Sequence, residues 1–317
     1  MTLDVVTLGE TMAVLAPERV GPLRAATSGR LTVAGAESTV AIGVCRLGGT
    51  ARWLGSLGED ELGELVISRL RAEGVDVRAE RRSAATGLMI KERRTAATTR
   101  VHYYRAGLAG SQLSADQVSA DALPAARWLH VTGITPALSW TAAEAVDVAV
   151  DAAVSAGTRV SFDVNHRTRL WSAHDAAAPL RRLAERADVV FATRSEAELL
   201  TGQPSRDDDA ALRQLADVTA GTVVLKRGAQ GVLALEAGTR RSLEQAAYPV
   251  TVIDPVGAGD AFVAGYLAEA SREGALEACL RLGAAVAAVA ISCDGDWEGL
   301  PTREEVQALF DADDIVR

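Results

Sequence analysis

The later part of the chain alternates between two hydrophobic periods. From about residue 148 onward, helical spacing in AAEAVDVAVDAAVSAG is followed by short apolar runs in RVSFDVN, ADVVFAT and GTVVLKRG, with helical segments between them. Strands and helices that alternate in this way predict a parallel sheet with crossover helices. Polar groups end the three runs, in DVNHR, TRSE and KRG. Because ligands bind beyond the carboxyl ends of parallel strands, we expect these groups to converge on one crevice.

The first third has a different pattern. Short β-like segments, separated by turn residues, read ETMAVLAP, SGRLTVAG, TGLMIKERR and TTRVHYYRAG. They predict a small sheet that projects from the main body, with strands from about residues 10–35 and 86–107. Ser38–Leu47 and Glu59–Glu73 have helical patterns and belong to the main body. Without repeats or a Pro/Ser-rich linker, the chain is interpreted as one domain over residues 1–317 with an inserted lid.

Composition excludes several classes of function. About half of the residues are apolar, and 33 basic against 42 acidic residues give a net charge of -9 without any basic and aromatic run for a nucleic acid. The three cysteines lack CxxC spacing, which favours a reducing compartment. MTLDVVTLGE reads as a strand rather than a signal peptide, and the apolar stretch at 275–292 contains charges. We therefore expect a soluble, cytoplasmic protein that binds neither nucleic acid nor membrane.

The stretch TVIDPVGAGDAFVAGYLAEA carries the strongest chemical signal. Gly257 and Gly259 let backbone N–H groups turn toward one point at a helix N-terminus, which is a site for an anion. Asp260 would repel a phosphate but could remove the proton from a hydroxyl that attacks it. The alternative is that Asp260 only favours the helix N-terminus and that the glycines only make a turn. No P-loop and no dinucleotide fingerprint offers a competing nucleotide site.

Two motifs resemble a known family. DPVGAGDAF resembles the C-terminal signature of the ribokinase-like (PfkB) sugar kinases, and AGAESTVAIGVCRLGG is similar to their N-terminal glycine motif. Within the family, VHYYRAGLAGSQL, FDVNHRTRLW and GDWEGLPTREEV most resemble the 2-keto-3-deoxygluconate kinases. The resemblance implies a ribokinase-like α/β fold, with a mostly parallel central sheet flanked by helices and a small β-sheet lid. It also implies ATP-dependent phosphorylation of the terminal hydroxyl of 2-keto-3-deoxygluconate to the 6-phosphate, with ATP and Mg²⁺ and with a monovalent cation left open.

The resemblance also assigns roles to individual residues. It implies that Asp260 is the base and that Gly257, Ala258 and Gly259 form the anion hole. The sugar acid would be held by lid and loop residues, namely Gly35, Met89, Tyr103, Arg105, Arg167, Asp260 and Asp296. The nucleotide would be held by residues at the strand ends and the glycine turn, namely Asn165, Arg167, Lys226, Arg227, Gly228, Gly231, Gly257 and Gly259. Glu196 matches the position that helps organise Mg²⁺.

A pair of arginines favours an acidic sugar, since a guanidinium can hold a carboxylate through two hydrogen bonds. The alternatives are that Arg105 and Arg167 pair with surface acids and that Tyr103 and Tyr104 only pack across strands.

Four positions depart from the family pattern. They are Ala34 and Thr39 in the first glycine motif, Met89 where an aromatic ring is expected, and Thr193 where an asparagine is common. Two other functions therefore stay open, a kinase for another sugar such as fructose, ribose or a related keto-deoxy acid, and a non-catalytic sugar-acid sensor. The half-apolar lid segments further predict a homo-oligomer formed through the lid.

Overall fold

The computed structural model describes residues 2–95, 98–118, 123 and 125–315. Residues 96 and 97, which fall inside the predicted lid range 86–107, lie outside the described residues. The predicted single domain over residues 1–317 also includes undescribed positions, and it stays a prediction.

A large, mostly parallel sheet forms the centre of the fold. Within the described residues it contains nine strands in the order β13-β12-β11-β10-β9-β8-β1-β4-β5. Only the pairs β11/β12 and β12/β13 are antiparallel. The bounds are β1 Leu3–Leu8, β4 Ala51–Gly58, β5 Asp76–Arg82, β8 Ala126–Thr132, β9 Arg159–Asp163, β10 Val189–Thr193, β11 Thr222–Lys226, β12 Val232–Leu235 and β13 Ser242–Gln245. The neighbours β9, β10 and β11 are the strands predicted from the alternating pattern.

Helices cover both faces of this sheet, as expected when parallel strands are joined by crossovers. The described helices are α1 Ala36–Arg46, α2 Glu61–Ala72, α3 Trp140–Ala156, α4 Ala173–Glu185, α5 Arg194–Thr201, α6 Asp208–Ala216, α7 Ala258–Ala270, α8 Leu276–Ala290 and α9 Arg303–Ile315. One buried cluster joins the sheet to α1, α2, α7 and α8, and the other joins it to α3 through α6. In the described parts of the chain, none of these helices is both long and apolar enough to cross a bilayer.

A second, smaller sheet is built from the predicted lid segments. Its order is β3-β2-β6-β7, with β2 Met12–Pro17, β3 Gly29–Ala34, β6 Leu88–Thr95 and β7 Thr98–Tyr104. The central pair β2/β6 is parallel, and the two outer pairs are antiparallel. The predicted fold class, a mostly parallel sheet flanked by helices with a small additional sheet, is confirmed.

Candidate active site

A cleft of about 840 Å³ lies between the small sheet and the carboxyl ends of the large one. Sequence segments far apart contribute to it, because the loop after β9, the start of α7 and the strands of the small sheet all face the same space. The predicted site residues that line it are Gly35, Met89, Tyr103, Arg105, Arg167, Gly257, Asp260 and Asp296. The structure thus brings together the residues that the sequence assigned to the sugar.

The glycine turn at the start of α7 has the geometry of an anion site. Gly257 adopts φ 79°, and a Cβ there would lie 2.3 Å from the backbone oxygen of Asp296. Only glycine fits both the left-handed backbone and this close approach. Among the described residues, the N–H groups of Gly259 and Asp260 have no protein acceptor. These two donors and the helix dipole are therefore available to an anion.

Asp260 lies in the first turn of α7, beside Asn165 at the end of β9. The Asn165 amide donates to Oδ1 of Asp260 over 3.3 Å, and Asn165 itself has φ 39°, a left-handed conformation that is uncommon for a non-glycine residue. Burial, together with the like charge of Asp163, raises the pKa of Asp260 to about 7, while Arg167 and Lys226 oppose the rise. A carboxyl group with this pKa can act as a base near neutral pH.

A buried ion pair lies behind Asp260. Lys226, at the end of β11, donates from Nζ to both carboxylate oxygens of Asp163 over 2.7 Å. A Cβ at Gly259 would lie 3.4 Å from the same Nζ, so the lysine also contacts the glycine turn. Sequence reasoning assigned Lys226 to the nucleotide but missed Asp163. Its place at the carboxyl end of β9, two residues before Asn165, was the available signal.

Arg105 is paired with a buried acid rather than a surface one. Its guanidinium forms an ion pair with Glu10, whose side chain is almost fully buried, and its centre lies 5.6 Å from the ring of Tyr103. Nε of Arg105 is buried and lacks a hydrogen-bond partner within the described residues. Arg167 is exposed at the cleft and forms no ion pair with any described residue. Both arginines can therefore still accept an anionic ligand.

Two buried acids beneath the cleft were missed in the sequence. Burial raises the pKa of Glu10 despite its ion pair with Arg105. Burial also raises the pKa of Glu37, which accepts hydrogen bonds from Thr132 at 2.8 Å and Thr135 at 2.7 Å. Glu10 follows the carboxyl end of β1, and that position was its only signal.

Three of the four departures from the family pattern, Ala34, Thr39 and Met89, line the cleft. Met89 packs with Val14 and Ala34 in a small buried cluster and lines the cleft, as do Ala34 and the buried Thr39. A Cβ at Gly35 would lie 2.4 Å from the backbone oxygen of Glu10. The protein itself therefore requires glycine at this position.

Glu196 serves the local backbone with both of its carboxylate oxygens. One accepts the N–H of His166 at 2.8 Å, and the other accepts the N–H of Thr193 at 2.7 Å. Thr193 is the N-cap of α5, and its hydroxyl also donates to Glu196. In the described part of the chain no group of three or more His, Cys, Asp or Glu could hold a metal. The oxygen atoms of Glu196 and Thr193 therefore do not form a complete metal site. They suit Mg²⁺ that is held mainly by phosphate oxygens and water.

The remaining nucleotide residues form a tight turn outside the cleft. The Arg227 guanidinium pairs with Glu244 at 2.5 Å, and the backbone N–H of Arg227 donates to the backbone oxygen of Gly231. Gly228 and Gly231 both have positive φ, and a Cβ at Gly231 would lie 2.1 Å from the backbone oxygen of Gln245. The turn places Lys226 next to Asp260, but Arg227, Gly228 and Gly231 do not line the cleft.

Asp260 lies at a glycine turn and faces a cleft under a small sheet, which is the arrangement that the resemblance to the sugar kinases implies. The model of the pfkB family carbohydrate kinases matches residues 2–303, and the chain belongs to this family. It is therefore a phosphotransferase.

Individual relatives cover almost the whole chain. A 2-dehydro-3-deoxygluconokinase of Bacillus subtilis is 34% identical over 318 residues, which is 98% of this chain and 97% of the relative. A 2-dehydro-3-deoxygalactonokinase of Haloferax volcanii is also 34% identical, over 312 residues, with the same coverage of 98% and 97%. Among solved structures, a ribokinase II candidate of E. coli in complex with ATP and Mg²⁺ has a TM-score of 0.89 and 25% identity, covering 98% of this chain and 100% of that one.

Proposed function

We propose that this kinase transfers the γ-phosphoryl group of ATP to the terminal hydroxyl of 2-keto-3-deoxygluconate, giving the 6-phosphate. The observation that carries the proposal is Nε of Arg105, a buried donor without a partner at the cleft. An unmet buried donor favours a ligand that brings an acceptor, and a carboxylate is the strongest acceptor for a guanidinium. The B. subtilis relative that carries the name of this activity supports the same substrate.

The chain's own residues would carry out the transfer as follows. Asp260 removes the proton from the sugar hydroxyl, and Asn165 holds the carboxylate in place through its amide. The N–H groups of the turn Gly257, Ala258 and Gly259 stabilise the negative charge that develops on the transferred group. Glu196 would help to hold Mg²⁺, which would neutralise charge on the phosphates when it is bound.

The carboxylate end of the sugar acid would lie toward the small sheet. Arg105 is presented there by the ion pair with Glu10, and Met89 and Tyr103 supply the apolar side of the cleft. Arg167 is close enough to Asp260 to lower its pKa, so its charge also acts at the phosphoryl end. Asp296 and Gly35 complete the sugar side.

Asn165, Arg167, Lys226, Arg227, Gly228 and Gly231, with the turn glycines, are proposed for the nucleotide. The E. coli structure with ATP and Mg²⁺ supports this cofactor pair. We also propose that the protein is cytoplasmic, and a requirement for a monovalent cation is left open.

A second candidate substrate is 2-keto-3-deoxygalactonate, which differs from the first only in configuration at C4. The H. volcanii relative favours it, since that protein is equally identical to this chain. The sensor alternative has no remaining support, because the chain belongs to a family of carbohydrate kinases. Neutral sugars such as fructose and ribose are the remaining competitors.

The deciding experiment measures ADP release by the purified protein with both keto-deoxy acids, fructose and ribose, followed by mass spectrometry and ³¹P NMR of the product. We expect the highest kcat/KM for 2-keto-3-deoxygluconate and a phosphomonoester on its terminal carbon. A preference for a neutral sugar would contradict the substrate, and transfer to another hydroxyl would contradict the site of reaction.

Arg105→Leu tests the carboxylate assignment. We expect the KM for the keto-deoxy acid to rise by an amount that corresponds to a loss of about 2 to 4 kcal/mol of binding free energy, the scale for losing one partner of a hydrogen-bonded charge pair. The KM for neutral sugars should change little. Because the variant leaves Glu10 buried and unpaired, Arg105→Leu combined with Glu10→Gln removes that stability cost.

The matched control is Arg100→Leu on β7, the strand that ends just before Arg105, where the side chain is exposed and away from the cleft. Equal losses for acidic and neutral sugars in the Arg105 variants would remove the carboxylate from the site.

A further inference from the structure

Lys91 occupies an acidic site that none of the roles above includes. Its Nζ on β6 donates to Oδ2 of Asp254 over 2.5 Å and to Oδ1 of Asp296 over 2.8 Å. The side chains of Lys91, Asp254 and Asp296 are only 8%, 10% and 15% exposed. One strand of the small sheet thus supplies a cation to two acids of the main body, at the wall of the cleft.

The charges of this cluster depend on one another. Burial alone would lower the pKa of the Lys91 ammonium, but the attraction of Asp296 and Asp254 outweighs it and leaves that pKa raised. The ammonium therefore stays charged at neutral pH. Without it, two carboxylates would face each other with little water, which is strongly unfavourable.

Both acids are linked to the anion turn, Asp254 through the loop that leads into it and Asp296 through a backbone contact with it. Oδ1 of Asp254 accepts the N–H of Val256 at 3.2 Å, and Oδ2 accepts the N–H of Gly295 at 3.4 Å. The backbone of Asp296 lies against Gly257, where even a Cβ would not fit. A displacement of either acid would therefore be transmitted to the N–H groups at the start of α7.

The composition of the chain adds an independent observation. It has 31 arginines and only two lysines, Lys91 and Lys226. Both lysines are held by buried carboxylates at the site, Lys91 by two acids and Lys226 by Asp163. An ammonium is a compact point charge that fits between carboxylates, whereas a guanidinium is a larger planar fork. These two positions therefore use the one cation that suits their geometry.

We propose that Lys91 is a positioning residue for phosphoryl transfer, since its ammonium joins the small sheet to Asp254 and Asp296 and so holds the anion turn in place. This inference rests on the proposed role of the turn and of Asp260. It does not depend on which sugar is the substrate. In this arrangement the small sheet does more than cover the cleft, because it supplies a charge that the main body requires.

The test compares Lys91→Met, which keeps the length of the side chain, with Lys91→Ala, which leaves room for a small molecule. We expect kcat of Lys91→Met to fall about 10- to 100-fold, the scale for misplacement by a residue outside the chemistry. In Lys91→Ala, we expect added propylammonium to raise kcat at least fivefold, in a saturable manner and at constant ionic strength. Propanol has the same shape without charge, and tetramethylammonium has charge without donors, so neither should restore activity.

Arg93→Met is the matched control, because Arg93 lies two residues further on the same face of β6 and is half-exposed. It should keep kcat within about twofold. A Lys91→Met enzyme with kcat within twofold of wild type overturns the inference. So does rescue by propanol alone, or a folded Lys91→Ala protein that propylammonium does not activate. If neither variant folds, the lysine is only structural and the inference is also wrong.

Asp260→Asn, assayed in parallel, distinguishes a failure of the role of Lys91 from a failure of the proposed function. Loss of turnover in Asp260→Asn with an active Lys91→Met leaves the proposed function intact and removes only the role of Lys91. An Asp260→Asn enzyme that retains most of its kcat contradicts the proposed function itself.

Discussion

At the scale of single residues, the pKa of Asp260 links the structure to a measurable pH dependence. Burial and Asp163 raise this pKa to about 7, and the base must be deprotonated to accept the hydroxyl proton. Activity is therefore present above the folded-state pKa and is lost as the pH falls through about 7. We expect kcat/KM for the sugar to decrease about tenfold per pH unit on the acid side.

Substitution of Lys226 tests whether the acid limb of the pH profile reports the pKa of Asp260. Lys226 lowers the pKa of Asp260, so Lys226→Met should move the acid limb of the kcat/KM profile to higher pH. Arg227→Met should leave the limb in place, because the Arg227 guanidinium pairs with Glu244. A wild-type profile that is flat between pH 5 and 8 would contradict the role of Asp260 as the base.

At the scale of elements, the start of α7 depends on Gly257 for two separate reasons. Its φ of 79° is unfavourable for other residues by about 1 to 2 kcal/mol, and a Cβ would collide with the backbone oxygen of Asp296. We expect Gly257→Ala to lower the free energy of unfolding by more than the backbone strain alone and to reduce kcat, because the N–H groups of the turn move.

Gly238→Ala separates these reasons, since Gly238 has φ 71° but open space around its Cβ. Urea unfolding should show only the strain of about 1 to 2 kcal/mol for Gly238→Ala, with kcat unchanged. Equal losses of stability in the two variants would show that the contact with Asp296 has no energetic weight.

Several strands of the large sheet could be predicted from the sequence, whereas some buried charged residues could not. The segments around β9, β10 and β11 were predicted from apolar runs, because strands buried on both faces have few other possible sequences. The convergence of their polar ends followed from the geometry of parallel sheets. Glu10 and Lys91 escaped prediction because a buried charge has no periodic signature, and its partner lies on a distant segment.

At the scale of the whole molecule, the outer face of the small sheet predicts a homodimer. Leu15, Leu31 and Ile90 are paired across strands β3, β2 and β6 in one row, and each is at least partly exposed. Exposed apolar side chains on a sheet are stabilised when another surface buries them, and the same face of a second copy of the chain is the simplest such surface. We expect light scattering to report twice the chain mass at micromolar concentration.

Leu31→Arg with Ile90→Arg should convert this dimer to a monomer, whereas Arg100→Leu on the same sheet should not. A monomeric wild-type protein would contradict the dimer prediction without affecting the kinase assignment. A dimer that survives both substitutions would place the interface elsewhere.

The sequence by itself determined the alternation of strands and helices in the later part of the chain, the family and the residues of the glycine turn, because these depend on local patterns and contiguous motifs. Only the tertiary structure decided which charges meet. It pairs Arg105 with Glu10, Lys226 with Asp163, and Lys91 with Asp254 and Asp296. Such pairs are set by the folded path of the chain, which brings Lys91 and Asp296, 205 residues apart in sequence, within hydrogen-bond distance. No local pattern encodes that proximity, although the charges that it brings together shift the pKa of Asp260.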